Sequence, residues 1–555
     1  MKIIIGSDHG GVDLKAALVA ALGAVDAGCA TKASCDYPDY AVKVALAVSK
    51  GEADFGILIC RSGIGMSMCA NRFANVRAAV CATVEAAVTT RQHNGANVLC
   101  MGADALSIGY AVEMAKAFIA TPVDMDARHA RRRAKLERAG RLSDASVLAQ
   151  ADAEVFAAVE AQTRQEDGAI NLIASENYVS RACRAAAGSV LMNKYAEGYP
   201  GNRWYSGCGP VDQVERLAIE RAKTLFGADH ANVQPNGGSA ANMAVYAAAL
   251  KAGDTIMSMA LDQGGHLSHG AKVNFSGKFL NVVPYGVSRE TETIDYDALE
   301  AQALEVKPKL LVAGASAYPR TIDFKRIREI CDKAGCLMMV DMAHIGGLVA
   351  GGAHPSPVPY ADFVTATTHK TLCGPRGGII LCKAEYAKAV DMAVFPGLQG
   401  GPLENVIAAK AVCFREWLQG GRQGYARRVV DNCRALCKTV QDRGYRIVSG
   451  GTDNHLFLVD VKASRGICGK DAAAALDAAG IVTNKNTIPY DTEGPFKASG
   501  VRIGTASVTT RGMGTGEMIK IGTWIADILD DIASESTRAR VRAEAAELCA
   551  KFPVP

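Results

Sequence analysis

The chain has 555 residues, 49% of them hydrophobic and 21% charged, with a formal net charge of +4. That length exceeds one ordinary core and predicts two or three domains, while so small a charge leaves no footprint for nucleic acid. No apolar run approaches the roughly 20 residues of a membrane span, and the opening MKIIIGSDHGG lacks the apolar core of a signal peptide. Seventeen cysteines are scattered, odd in number and without a C-x-x-C pair. They predict a cytoplasmic protein whose thiols act mostly as small buried hydrophobes in a reducing compartment.

In chain order, short apolar strands are predicted at 2–6, 55–60, 77–81 and 98–101, alternating with helical patterns at 10–22, 38–50, 63–73, 84–92 and 107–119. The alternation predicts an α/β domain, a doubly wound (Rossmann-like) parallel sheet with helices on both faces and ligands beyond the carboxyl ends of its strands. Polar residues stand at those ends: Asp8 and His9 after the first strand, Cys60 closing the second, His93 and Asn94 before the fourth. The loop Ser62-Gly63-Ile64-Gly65 opens a helix, where backbone amides can cradle an anion or simply make a tight turn. The basic run Arg128, Arg131, Arg132, Arg133, Lys135, Arg138 and Arg141 reads as a phosphate clamp or as a solvated helix face.

The pieces SDHGG, DYPDYA, GILIC-x-SGIGMS-x-x-ANR, RQHN-x-x-NVL and RHARR together resemble the type B ribose-5-phosphate isomerase and galactose-6-phosphate isomerase family. The resemblance implies that Cys60 moves a proton between adjacent sugar carbons and that His93 helps open the ring. Asp8 and His9 would hold sugar hydroxyls, and the Ser62, Gly63 and Gly65 loop, with Asn94, would meet the enediolate side. Arg128 and Arg132 would bind the phosphate, across a dimer interface as in relatives. A thiolate can abstract such a proton when nearby charge or dipoles favour it. Arg61 stands where relatives usually have glycine, and the segment 23–35 is short. A guanidinium there is expected to favour the Cys60 thiolate and to narrow the sugars accepted.

The small, polar stretch AGRLSDASVLAQ at 139–150 marks a boundary near 145, and 152–166 resumes a helical pattern. The expected domains are 1–145, 150–424 and 425–555.

Beyond it, VQPNGGSAANMAVY places Gly237, Gly238 and Ser239 before an Ala-rich helix, a phosphate cup or an ordinary cap. DQGGHLSHG supplies His266 and His269, to stack on a ring or cap a turn. CLMMVDMAH reads as a buried strand ending in Asp341, a carboxylate that needs a partner. ATTHKTLCGPRGG then carries Lys370 off a buried strand into a glycine-rich turn. Desolvation there disfavours the charged amine, so Lys370 is either a pyridoxal phosphate Schiff-base lysine or a surface lysine in a turn. Asp341, about 30 residues earlier, suits the pyridinium nitrogen of that cofactor and favours the first reading.

NKYAEGYPG, VDMAH-x-x-GLVA, TTHKTL-x-GPRGG, FPG-x-QGGP, SGGTDNHLFLVD and SG-x-R-x-GT look like serine hydroxymethyltransferase over residues 150 to 535. The resemblance implies an aminotransferase-type (fold type I) large domain and a smaller α+β domain, in which HLFLVDV is a strand. It implies pyridoxal 5'-phosphate as cofactor, tetrahydrofolate as co-substrate, serine and glycine as substrates, no metal, and a homodimer or homotetramer. Lys370 would bind the cofactor covalently, Asp341 its ring nitrogen, His266 its face, His344 its phenolic oxygen near Ser316. Gly238 and Ser239 would hold its phosphate, with Tyr195 and Gly401 from a neighbouring subunit. Arg502 would grip the substrate carboxylate with Ser175, Arg376 would organise the lysine's surroundings, Glu197 and Tyr205 would move protons, and Asn486 would meet the folate. Gly237, Trp204, Leu398 and Pro319 depart from the usual pattern without removing a reacting group.

The leading expectation is a sugar-phosphate isomerase fused to a serine hydroxymethyltransferase. The alternatives are the same transferase with a non-catalytic sugar-phosphate-binding module, or a folate-independent aldolase.

Overall fold

The computed structural model describes residues 1–139 and 142–555, with the side chains of 137–146 left aside, so Arg141 and the Arg138 side chain lie outside the described residues. The chain divides into two compact units, Met1–Ala161 and Gln162–Pro555.

In the first unit five strands, β1 (Ile3–Ser7), β2 (Val25–Asp26), β3 (Phe55–Cys60), β4 (Ala78–Val80) and β5 (Val98–Gly102), form a parallel sheet in the order β2-β1-β3-β5-β4. Strand β3 is buried throughout because helices cover both faces. Its side chains alternate: Ile57 and Ile59 join Leu14, Leu18 and Phe118 on one face, and Leu58 and Cys60 join Val44, Val48 and Met66 on the other. The four expected strands form near their expected bounds. The two-residue β2 was not anticipated, since both its residues are exposed and leave no apolar signature.

The second unit is built on seven strands: β6 (His230–Asn232), β7 (Thr255–Met259), β8 (Asn281–Tyr285), β9 (Leu310–Ala313), β10 (Leu337–Asp341), β11 (Phe363–Thr367) and β12 (Gly378–Cys382). Their order is β8-β7-β9-β10-β11-β12-β6, with β12 antiparallel to both its neighbours and the other pairs parallel. Asp341 pairs with Thr365 across β10 and β11. Because these strands run the same way, Asp341 and the Thr368–Lys370 turn emerge at one edge of the sheet.

A second, antiparallel sheet, β13 (Arg446–Ile447), β14 (Leu456–Asp460), β15 (Asn484–Asn486) and β16 (Gly500–Gly504), runs β13-β14-β16-β15. It packs with the helices Tyr425–Asp442, Thr515–Asp530 and Glu535–Lys551 around its own core. The start of the unit belongs to that core: Ile170–Asn171 pairs with Ile481–Val482, and Ile170 and Leu172 are fully buried in it. Buried Arg511 fixes the crossing by donating to the carbonyls of Glu166, Asp167, Ala169, Cys549 and Phe552.

Candidate functional site

The carboxyl edge of the first sheet gathers several expected residues. Asp8, directly after β1, is buried and accepts from the Gly10 amide at 2.9 Å. His9 follows, its Nδ1 receiving the Cys35 amide at 3.3 Å. Cys60 closes β3, and its sulfur accepts from the Gly63 amide at 3.1 Å. Gly63 has φ of +76°, and a Cβ there would lie 2.8 Å from the Met101 backbone, so this turn requires glycine. Ser62 and Gly65 frame the same loop, with Gly65 packed so tightly on Tyr37 that a Cβ would meet its ring at 2.8 Å.

Arg61 departs from expectation. Its side chain is 76% exposed and its Nε lies 3.9 Å from Asp104, so its charge is shared with a carboxylate in water. The donor that the structure gives Cys60 is the Gly63 amide.

His93 and Asn94 lie in the turn Thr90–Asn94. The His93 ring sits 4.1 Å from that of His129, which was not anticipated. Buried His129 meets Asp124 through Nδ1 at 2.9 Å and the Arg128 guanidinium through Nε2 at 3.1 Å. The guanidinium makes Nε2 the acceptor and Nδ1 the donor, and its charge disfavours a cation among His93, Asp124 and His129. Arg133 ties the group together through the carbonyls of His93 and Asp124. Arg128 and Arg132, on the helix Ala127–Ala139, are exposed.

In the second unit the edge of the large sheet opens into a cavity of about 610 Å³. It is lined by Ser175, Gly238, Ser239, His266, Ser316, Asp341, His344, Lys370, Arg376, Asn486 and Arg502, which the sequence spreads over more than 300 positions. Lys370 is 8% exposed, and burial, with Arg502 and Arg376 beside it, brings its ammonium down to about 8 despite Asp341. Burial opposes ionisation of Asp341, but His269, Asn242 and Lys370 hold its carboxyl well below the usual range.

That hold comes from residues with no expected role. Asp341 Oδ2 accepts from Asn242 Nδ2 at 2.9 Å and His269 Nε2 at 3.0 Å, while Oδ1 accepts from the Ala343 amide. Thr365 donates to Asn242 Oδ1 at 2.6 Å, fixing which way the amide points. His269 Nδ1 receives the His266 amide, which leaves Nε2 as the donor toward Asp341. Asn242 lies one helical turn after Ser239, so a polar side chain on the inner face of an Ala-rich helix was the available signal.

Burial also holds the histidines neutral: His266 falls to about 4, His369 and His455 to about 3, and His344 well below its ordinary value. His344 meets His455 at 3.2 Å. Arg502 donates to the Asn484 side chain and the Ser316 carbonyl, burial lowers it to about 10, and no carboxylate pairs with it among the described residues. A buried fork without a counter-charge is prepared for a carboxylate ligand. The helix Gly238–Ala249 starts at the cavity with no side-chain cap, so its first amides face inward. A Cβ at Gly238 would come within 2.7 Å of Thr367, and Gln399 braces the turn through the Asn236 amide and the Gln234 carbonyl.

Residues 148–525 match the family model described as Serine hydroxymethyltransferase, and residues 3–136 match that described as Ribose/Galactose Isomerase. The chain is 57% identical over 407 residues to a serine hydroxymethyltransferase of Acidobacterium capsulatum, covering 73% of this chain and 95% of the relative. A second, from Koribacter versatilis, shows the same identity and coverage. The chain belongs to the serine hydroxymethyltransferase family.

This family is pyridoxal phosphate-dependent and uses tetrahydrofolate as co-substrate. The cavity fits such a cofactor: an uncapped helix start for a phosphate, an ionised carboxylate for a ring nitrogen, and a desolvated lysine in the same lining. The transferase is joined to an isomerase-family domain in one chain. No helix among the described residues is long and apolar enough to cross a membrane.

Four expected residues of the transferase do not line the cavity. Tyr195, Glu197, Tyr205 and Gly401 gather in a separate cluster, with the Tyr195 hydroxyl 3.3 Å from Glu197 and its ring packed on Tyr205 and Gly401. Tyr195, Trp204 and Tyr205 are 53%, 78% and 47% exposed. Arg203 anchors the hairpin beneath them, buried against Asp212 and Glu215.

Proposed function

We propose that the chain is bifunctional, its transferase unit interconverting serine plus tetrahydrofolate with glycine plus methylene-tetrahydrofolate and its first unit interconverting an aldose and a ketose phosphate. The convergence of Lys370, Asp341 and Arg502 on one cavity supports the assignment of transferase residues. Lys370 would hold the cofactor covalently, Asp341 its ring nitrogen, Gly238 and Ser239 its phosphate, and His266 and His344 its ring. When bound, that group supplies an electron sink for the bond broken at the amino acid. Arg502, with Ser175, grips the substrate carboxylate, and its burial makes that contact strong. Burial keeps His266 and His344 neutral beside an ionised Asp341, and Arg376 orients the lysine's turn through His369 at 3.5 Å. Asn486 and Ser316 sit on the wall where the folate and amino acid enter.

Glu197 and Tyr205 move protons at the hydroxymethyl group in a second copy's cavity, with Tyr195 and Gly401 beside the phosphate there. Their exposure, clustered on a braced hairpin, supports a homo-oligomer of at least two chains. Seventeen free cysteines fit a cytoplasmic, reducing location.

For the first unit, the match to the isomerase family and the gathering of Asp8, His9 and Cys60 at one sheet edge support ribose 5-phosphate/ribulose 5-phosphate type chemistry. Cys60 would take the proton, with the Gly63 amide steadying its thiolate. His93 would serve ring opening, held against His129, and Arg128 and Arg132 would take the phosphate. One observation favours a binding module instead: the Arg61 stem crosses Gly10, whose Cβ position lies 2.8 Å from it, narrowing the sugar side. Assaying both activities in the full chain and in its Cys60→Ala and Lys370→Ala variants decides. Each substitution is expected to remove one activity and spare the other; wild-type protein that binds but does not isomerise a panel of sugar phosphates would leave only the module.

A further inference from the structure

The helix Glu404–Leu418 carries a lysine where its pattern calls for an apolar residue. Ile407, Phe414 and Trp417 mark the face it turns to the core, and Lys410 lies on that face, 1% exposed. Among the described residues no carboxylate pairs with its ammonium. The charge of Glu215 acts on it, but both Glu215 oxygens are taken, by Arg203 at 2.6 Å and by Gln234 at 2.8 Å. An ammonium buried without a counter-charge is costly and is kept only where other groups satisfy it. Three backbone carbonyls do so here: Nζ donates to Val233 at 2.7 Å, to Gly378 at 2.9 Å and to Pro235 at 3.0 Å. Three acceptors use every N–H of an ammonium, one more than a neutral amine has. Burial opposes that charge and brings the group down to about 7, although Glu215 favours it.

These carbonyls belong to the two segments that frame the start of the helix Gly238–Ala249. Val233 and Pro235 lead from β6 into the turn before Gly238, and Gly378 opens β12. The Gly378 amide donates to the Pro235 carbonyl at 2.9 Å, so that carbonyl is held from two sides. The fit is tight: a Cβ at Gly377 would overlap the Lys410 stem, and one at Gly378 would overlap the Gly237 carbonyl. Asn236, Gly237, Gly238 and Ser239 line the cavity, whereas Lys410 does not. Lys410 therefore acts on the cavity through the turn.

We propose that Lys410 is a positioning residue for the cofactor's phosphate, its buried ammonium fixing the 235–238 turn to β12 and setting a positive charge behind the amides that would meet the anion. This rests on the reading of Gly238 and Ser239 as the phosphate site. Two effects add. The hydrogen bonds hold the turn that aims the first amides of the helix. The charge, in surroundings less polar than water, favours an anion over a neutral group at that turn. Losing both weakens binding of a phosphate-bearing cofactor about tenfold to a hundredfold, and leaves a phosphate-free analogue nearly unaffected.

The test uses the full-length chain, stripped of cofactor with free cysteine, as wild type, Lys410→Met, Lys410→Gln and Ser239→Ala. Absorbance titrations measure affinity for pyridoxal 5'-phosphate and for pyridoxal, which lacks the phosphate, and calorimetry measures inorganic phosphate alone. Circular dichroism checks that each stripped chain is folded. Lys410→Gln keeps two of the three donors, so it carries the test if Lys410→Met does not fold. The expected result is weaker binding of pyridoxal 5'-phosphate and of inorganic phosphate in the Lys410 variants, with pyridoxal affinity within about twofold of wild type. Equal weakening of the cofactor and of pyridoxal would overturn the proposal, since Lys410 would then serve the packing of the unit and not the phosphate. Unchanged affinities in the Lys410 variants, beside a loss in Ser239→Ala, would overturn it too while sparing the phosphate site. If Ser239→Ala and the Lys410 variants alike bind phosphate and cofactor as wild type does, the reading of the phosphate site falls and the proposal with it.

Discussion

The two units build their sites from different materials. In the transferase unit the reacting groups are buried and electrostatically set: Lys370 brought down to about 8, Asp341 held ionised, four histidines kept neutral. In the isomerase-family unit what steadies Cys60 and Asp8 is backbone, the amides of Gly63 and Gly10. The difference follows from chemistry. A site that must receive a charged cofactor in a dry cavity needs preset side-chain charge. A site of the kind proposed for the first unit, working on a hydrated sugar, can rely on amide donors at a turn and leave its basic residues in water.

The largest effect should break the buried site alone. Lys370→Ala is expected to lower serine turnover by on the order of 10⁴-fold, since the covalent anchor is lost, while ribose 5-phosphate isomerisation stays within twofold or so of wild type. Borohydride reduction of wild type followed by peptide mapping should place the cofactor on Lys370; a label on another lysine would contradict the assignment. Cys60→Ala makes the mirror test, lowering isomerisation by about 10²–10⁴-fold with sugar-phosphate affinity retained by calorimetry.

A third test sharpens the comparison by asking which site needs a second copy. Mixing Lys370→Ala with Glu197→Gln under subunit exchange should restore roughly a quarter of wild-type serine turnover, because half the dimers are hybrids with one intact site. No recovery despite demonstrated exchange would show that Glu197 serves the cavity of its own chain.

Acid should act on the buried site through its histidines. Their folded-state values lie below the ordinary one near 6.5, so between there and about 4 the unfolded chain binds protons the folded unit refuses. Stability therefore falls as pH drops through this window, by up to about 1.4 kcal/mol per pH unit for each histidine fully titrating. Urea unfolding monitored at pH 7 and pH 5 should show the loss in the transferase transition; a pH-independent midpoint would contradict it. The smallest expected effect is a gain. Gly237 has an extended backbone and nothing within 4 Å of its Cβ position, so Gly237→Ser fits and adds a hydroxyl at the uncapped helix start. Cofactor dissociation should slow about threefold to tenfold by absorbance; no change would place that hydroxyl away from the phosphate.

Legibility differed along the same line. Lys370 could be singled out because a buried strand, a lysine and a glycine-rich turn are contiguous in sequence. Asn242 and His269, which donate to Asp341, and Thr365, which orients Asn242, lie up to about a hundred residues from it, and only the packing of a helix and a turn onto the end of β10 and β11 brings them together. Arg61 shows the reverse error: adjacency to Cys60 suggested an electrostatic partner, yet consecutive residues leaving a strand point apart, and its charge faces Asp104. His129 was hidden inside a basic run that read as a clamp or a solvated face.

By itself the sequence determined what depends on local order: the apolar runs that become β3 and β10, the glycine turns at Gly63 and Gly238, and the reactive residues placed directly beside them. Tertiary structure alone decided which distant groups share a proton or a charge. It joined Ile170 to the C-terminal core, left Arg502 buried without a counter-ion among the described residues, and kept Tyr195 and Glu197 outside the cavity. The reason is that strand and turn are fixed by interactions among near neighbours. Burial, and with it every large shift in acidity here, is a property of the whole packed unit.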